Sequence, residues 1–460
     1  MQMSTRRGFI KGAAVCCSSS GAAVWATPDL AGVWSGFLGS DNPPTLLTLR
    51  VVSNSAAELT VVGIGAIPLS RFRVMARSVE FETDRPRGTF AGTLNDAGDL
   101  VGSIRRGDES IPLTFVHGDL YTESAMPPLP PGPITADGLK ALRTAAGCPA
   151  MGVAWQRGNG PAHVIVDGRR SVQGDAPVQP TDRWHLGSVT KSMTATLAAR
   201  MVERGRLAWT TPLRELLGSS VPDMHAAYRD LNLLHLLSHH GGLAHDTPAE
   251  SYAHLPQAQQ RLAYVQAALK LEPVGEAGKA MVYSNAGYVA AGLMLEVAGE
   301  AAWEDLIAKH VFDPLGVRDF GFGPPGIAGR FDEPQGHRMG ARGLEPVRSD
   351  VAFVLGPAGR VHMTLADLAL YLRAHRDRPA GFLKPASWDT LHTPPFGGNY
   401  ALGWEITETG VLVHGGTNSW WKSEVRVDPR RRLVSAAVTN VLNGNGQKAL
   451  LQLEDAAALS

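Results

Sequence analysis

Cysteine is nearly missing from this chain: there are three in 460 residues, and two of them are neighbours, Cys16 and Cys17. Removal of a signal segment over residues 1–26 would leave Cys148 alone, which excludes an intramolecular disulfide framework. Ala14-Val15 ahead of Cys16 fits a lipid-attachment motif poorly. Net charge is missing as well, with 43 Lys plus Arg against 43 Asp plus Glu. A neutral chain has no basic field to draw phosphate, so no nucleic-acid partner is expected. Arg430-Arg431-Arg432 accordingly reads as a tight hairpin turn. No apolar run is long enough to span a bilayer: Gly12 to Ala26 falls short of the roughly 20 residues required. The sequence also has no G-x-S-x-G, which excludes the nucleophile elbow of α/β-hydrolases even though His240-Gly241-Gly242 suggests their oxyanion loop. His235 and His239 stand four apart, but no Glu follows His235 as a zinc protease would need, so no metal is expected.

The strongest signal present is Ser188-Val189-Thr190-Lys191. Val189, Met193, Leu197 and Met201 step by four, the stripe of a buried helix, and Gly205 supplies a helix stop. Residues at i and i+3 share a helix face, so Lys191 reaches the Ser188 hydroxyl. A serine hydroxyl needs a neighbour to take its proton, and a lysine serves where burial or a nearby cation disfavours the ammonium. Alone, S-x-x-K also fits a capping serine beside a solvated lysine. Two further segments raise its weight. Tyr283-Ser284-Asn285 offers a phenol for proton shuttling and an amide to orient a carbonyl, ahead of a helical run. Val411-Leu412-Val413-His414-Gly415-Gly416-Thr417 reads as a strand running into paired glycines, against which a substrate can lie.

From about Pro133 onward the chain resembles the serine β-lactamase and penicillin-binding-protein superfamily. The branch it is most similar to holds class C β-lactamases, D,D-carboxypeptidases, D-aminopeptidases and related esterases. Ser188 to Lys191 is the S-x-x-K motif, Tyr283-Ser284-Asn285 the Y-x-N motif, and His414-Gly415-Gly416 stands at the K-T-G-like strand. Leu234 to Leu243, His310 to Gly316 and Gly356-Pro357-Ala358-Gly359-Arg360 resemble the family too.

The resemblance implies that Ser188 attacks a carbonyl to form an acyl-enzyme, with Lys191 and Tyr283 sharing the base. The N–H groups of Ser188 and Thr417 would form the oxyanion hole, and Asn285, His414, Gly415 and Gly416 would bind substrate. No metal or organic cofactor is implied. His414 stands where β-lactamases carry lysine, and a histidine is only partly protonated near neutral pH. The reading is therefore an exported serine hydrolase of esters or amides, esterase- or D,D-peptidase-like. A class C-like β-lactamase and a non-catalytic penicillin- or peptidoglycan-binding protein are the alternatives.

Four parts are expected. Residues 1–26 carry Arg6-Arg7 and an apolar stretch ending Val24-Trp25-Ala26, like a twin-arginine export signal into the periplasm. Residues 28–125 hold short alternating strands, a small all-β barrel or sandwich with no motif that carries chemistry. The Pro-rich stretch 126–134 is a stiff linker. Residues 135–460 form the hydrolase, an α/β (α+β) fold with an antiparallel sheet flanked by helices plus an all-α part. Its sheet draws on Met151 to Val166 and Tyr400 to Asn440. Trp420 and Trp421 either line an apolar acyl pocket or fill the space between sheet and helices, with the core reading favoured, and Cys148 is a small core residue. The substrate would be a small ester, peptide or β-lactam. Loop residues such as Ala244 to Leu262 give no readable specificity.

Overall fold

The computed structural model describes residues 30–459 except 39–44, 62–64, 85–86, 97, 107–108, 119–125, 130–132, 244–248, 328, 341–342 and 348–349. The signal segment lies outside the described residues, as do parts of the linker and of the Ala244 to Leu262 loop.

Nine antiparallel strands between Gly32 and His117 form one sheet. Its first strand, Gly32–Leu38, sits mid-sheet between Thr45–Ser53 and Glu109–His117. The two edge strands, Gly65–Ile67 and Leu69–Met75, are consecutive in sequence, and Val74 N–H reaches the Asn54 carbonyl at 3.1 Å. The sheet therefore curls into a barrel, which shelters its edges. Alternating residues point inward, where Phe81, Phe90 and Phe115 pack ring against ring. Met126 and Leu129 then pack on the hydrolase, and Arg338 pairs with Asp99 across from the barrel at 3.6 Å.

The hydrolase is built on a six-stranded antiparallel sheet in the order His163–Gly168, Ala150–Arg157, Leu433–Thr439, Lys422–Asp428, Leu412–Thr417, Glu405–Ile406. Ala150–Arg157 and Leu433–Thr439 are buried on both faces, which is why they read as continuous apolar runs instead of alternating. One face is covered by Ala136–Ala145 and the closing helix Gly444–Leu459. Leu365–Asp377 packs on the other, where the large core of the helical part begins.

The middle of the chain is less purely helical than expected. Arg183–His185, Phe320–Phe322 and Val361–Thr364 form a three-stranded sheet, and Gly336–Gly340 pairs with Gly343–Val347. All these runs are short; long-range pairing makes strands of the first three, and a local hairpin joins the last two. Trp420 is half-buried and Trp421 buried, with its ring stacked on His185 at 5.4 Å, so Trp421 is a core residue as expected. Residues Pro429 to Arg432 make the hairpin turn between the last two strands. Cys148 is buried, and burial pushes its thiol up to about 11, so it is an inert core side chain.

Candidate active site

The segment that carries Ser188 begins ahead of the apolar stripe, which starts at Val189. Gly187–Val189 is a 3₁₀ turn that runs into the helix Thr190–Glu203. Val189, Met193, Leu197 and Met201 are all buried, and Gly205 adopts a left-handed φ of 65° just past the end. Thr190 Oγ1 accepts from Val361 N–H and Leu186 N–H donates to the Val361 carbonyl, tying the segment to the three-stranded sheet.

Lys191 is 0% exposed, and its Nζ has three oxygen partners: Ser188 Oγ at 2.9 Å, Asn285 Oδ1 at 2.8 Å and the Ala358 carbonyl at 2.9 Å. An ammonium here would donate to all three. A neutral amine fits the same positions by donating to Asn285 and Ala358 and accepting the Ser188 proton. The proton can therefore move between hydroxyl and amine with little atomic displacement.

The Tyr283 ring centroid lies 4.8 Å from Lys191 Nζ. Its loop is stitched to His239: Val282 N–H donates to the His239 carbonyl, and Ser284 N–H to His239 Nδ1. The His239 ring stacks on Tyr283 at 4.0 Å. Ser284 caps the helix Asn285–Gly299, its hydroxyl accepting from Gly287 N–H, which sets Asn285 at the helix start facing Lys191. His235 stacks instead on Phe396, so the i, i+4 histidines face different partners. His239 falls past the helix Leu233–Leu237 with φ of 63°.

His414, Gly415, Gly416 and Thr417 form the end of the strand Leu412–Thr417, and the neighbouring Glu405–Ile406 pairs with this strand at Val413 and Leu412, before the glycines. The segment that carries Ser188 packs on this strand backbone to backbone. A Cβ on Gly416 would stand 2.0 Å from the Leu186 carbonyl oxygen and 3.0 Å from Ser188 N. A Cβ on Gly187, whose φ is 51°, would stand 2.3 Å from Thr417 N. Only glycines permit this approach, and it brings the Ser188 and Thr417 amides to one place.

His414 departs from the partly charged group its position suggested. Its Nδ1–H donates to the Gly415 carbonyl, and its Nε2 accepts from the Tyr400 hydroxyl at 2.9 Å. Burial, with Lys191 and Lys422 adding to it, pulls its pKa down to about 3, so the ring is neutral at physiological pH. Burial likewise keeps His239 neutral, helped by Lys191 and His414, and pushes the Tyr288 and Tyr400 hydroxyls well above their usual range. Lys422 on the adjacent strand sits beside Gly415, but Glu424 pairs with it at 2.9 Å.

The structure thus brings Ser188, Lys191, Asn285 and the Tyr283 ring together, and sets Gly416 and Thr417 against Ser188. His414 lies on the same strand with its polar atoms turned to Tyr400 and its own backbone. Sequence reasoning missed His239, Tyr400 and the Ala358 carbonyl. The Gly356 to Arg360 run is a visible signal for the last, and His239 lies in the Leu234 to Leu243 run that resembles the family, without a role of its own there.

Residues 136–459 match the Beta-lactamase family, well over half of the chain. The chain belongs to the beta-lactamase family. This family member is 29% identical over 282 residues to penicillin-binding protein 4 of Amycolatopsis lactamdurans, covering 55% of this chain and 71% of that protein. It is 26% identical over 183 residues to a beta-lactamase of Providencia stuartii, covering 40% of this chain and 44% of the relative, so the match spans less than half of that protein. Similar solved structures include EstCE1, a hydrolase with promiscuous acyltransferase activity (19% identity, TM-score 0.60, 70% of this chain and 97% of that one). Another is D-amino acid amidase from Ochrobactrum anthropi SV3, complexed with L-phenylalanine amide (19% identity, TM-score 0.58, 70% and 96%). At such identities the structural likeness establishes the fold.

Proposed function

We propose that this beta-lactamase-family chain is a serine acyl hydrolase of small esters or amides, with Ser188 as nucleophile. The observation that carries this reading is the fully buried Lys191 Nζ 2.9 Å from Ser188 Oγ, held there by Asn285 and Ala358, where the neutral amine can accept the hydroxyl proton. Ser188 Oγ attacks the substrate carbonyl as Lys191, with Tyr283, takes its proton. The developing oxyanion sits between the N–H groups of Ser188 and Thr417, fixed dipoles that need no reorganisation. Tyr283 returns the proton to the leaving group, and later activates the water that hydrolyses the acyl-enzyme. Asn285 accepts from Lys191 through its carbonyl oxygen, which sets its amide group beside the nucleophile where the acyl side of the substrate would lie.

Neutral His414 offers no fixed cation for a substrate carboxylate, and Glu424 offsets Lys422 nearby. This favours uncharged acyl groups over β-lactams. Arg6-Arg7 and the apolar stretch after them support export as the accompanying location.

The test is hydrolysis of a 4-nitrophenyl ester together with fluorophosphonate and fluorescent-penicillin labelling. Wild-type protein is expected to turn over the ester and take the fluorophosphonate on Ser188, and Ser188→Ala to do neither. Retained turnover in Ser188→Ala overturns the assignment. Turnover of penicillin matching that of the ester would make the chain a β-lactamase.

A further inference from the structure

We propose that Asp350 is a positioning residue for this reaction, one carboxylate that holds both oxyanion amides and the Lys191 acceptor in register. The inference rests on the Ser188 reading given above. Asp350 touches none of the proposed catalytic groups, yet its partners lie in the segments that carry the Ser188 amide, the Thr417 amide and the Ala358 carbonyl. Its Oδ2 lies 3.2 Å from His185 Nε2 and 3.3 Å from Arg360 Nε, and its Oδ1 accepts from Asn418 Nδ2 at 2.6 Å.

Each partner leads to a different part of the site. His185 Nδ1 accepts the Gly187 N–H at 3.1 Å, which places the ring proton on Nε2, facing the carboxylate. That bond fixes the peptide immediately before the Ser188 amide. Asn418 follows Thr417, and its Oδ1 accepts from the N–H groups of Trp420 and Trp421. Thr417 Oγ1 closes the same turn by donating to the Trp421 carbonyl. Arg360 lies two residues after Ala358, whose carbonyl takes a Lys191 proton.

Three segments far apart in sequence thus converge on one buried carboxylate. Its side chain is 3% exposed and that of His185 0%. Burial pushes the Asp350 carboxyl up, but His185, Arg360 and Asn418 more than reverse this and hold it at about 2, so it stays ionised through the working pH range. An ionised acceptor makes these bonds stronger than a neutral one would. Small displacements of oxyanion donors cost rate far more than they cost ground-state binding, because the charge they face exists only in the transition state.

The test uses the full chain, 4-nitrophenyl butyrate as substrate and phenylboronic acid as a probe of the tetrahedral state. Asp350→Ala is expected to lower kcat by roughly 10–100-fold with KM within about threefold, and to weaken boronate binding by a similar factor. Asn418→Ala cuts one arm only and should show the same split at smaller size. It carries the test if Asp350→Ala fails to fold. Kcat and boronate affinity within twofold of wild type, or a loss of kcat with unchanged boronate affinity, overturn the role. Activity that survives Ser188→Ala removes the Ser188 reading itself, and this proposal with it.

Discussion

Lys191 gives up all contact with water, and three oxygens replace it. That exchange is acceptable only because each N–H position finds a partner; an unpaired buried ammonium would be strongly destabilising. Tyr283 is fixed in a similar way, by its stacking on His239 and by the backbone bonds on either side of it. Removing only its hydroxyl should therefore leave the ring where it is. Tyr283→Phe is expected to lower kcat for a nitrophenyl ester by about 10²–10⁴-fold, with little change in KM. A kcat near that of wild type would show that the phenol moves no proton. The residues legible from sequence at this scale were those with local spacing: Ser188 with Lys191 one turn apart, and Tyr283 beside Asn285. Tyr400 reaches His414 14 positions on, His239 reaches Ser284 45 away and Asp350 reaches His185 165 away, and no short motif announces those contacts. The charge state of His414 was misleading for the same reason, since burial and Tyr400 determine it and the residue type does not.

The strand Leu412–Thr417 and the 3₁₀ turn Gly187–Val189 act as one element although 223 positions separate Leu412 from Val189. Ser423 Oγ donates to the Leu186 carbonyl and fastens the turn to the next strand as well. The close approach depends on Gly416 more than on any side chain. Gly416→Ala would set a methyl group 2.0 Å from the Leu186 carbonyl oxygen. The backbones must then part, and misplacement of about 1 Å in a reacting site costs on the order of 10² in rate. Loss of kcat on that scale with a lowered melting temperature is expected. Full activity in Gly416→Ala would mean the two backbones need not touch. The sequence marked the strand by an apolar run leading into paired glycines. It gave no hint of the neighbour that makes the second glycine necessary.

Across the whole molecule, several histidines are buried in the neutral form. Burial pulls His337 and His362 down to about 4 and His392 and His414 down to about 3. An unfolded histidine takes up a proton near pH 6.5. These groups therefore favour the folded state fully above that pH, and the contribution is lost as pH falls from about 6.5 toward 4 and 3. At pH 5 the loss amounts to as much as about 2 kcal/mol per group. Urea unfolding should show a clearly lower midpoint at pH 5 than at pH 7.5. Equal midpoints would mean that these rings are charged or accessible in the folded protein. The barrel adds its own core and meets the hydrolase through the packed Met126 and Leu129 and the Arg338–Asp99 pair. The amino-acid sequence by itself determined the strand-rich region ahead of the hydrolase fold, the buried helix that follows Ser188 and the family, because periodicity, turns and short motifs are local properties. Tertiary structure alone decided which glycines touch, which histidines stay neutral and which carboxylate gathers the three active segments. Those depend on what lies against a residue in space, and chain order does not encode that locally.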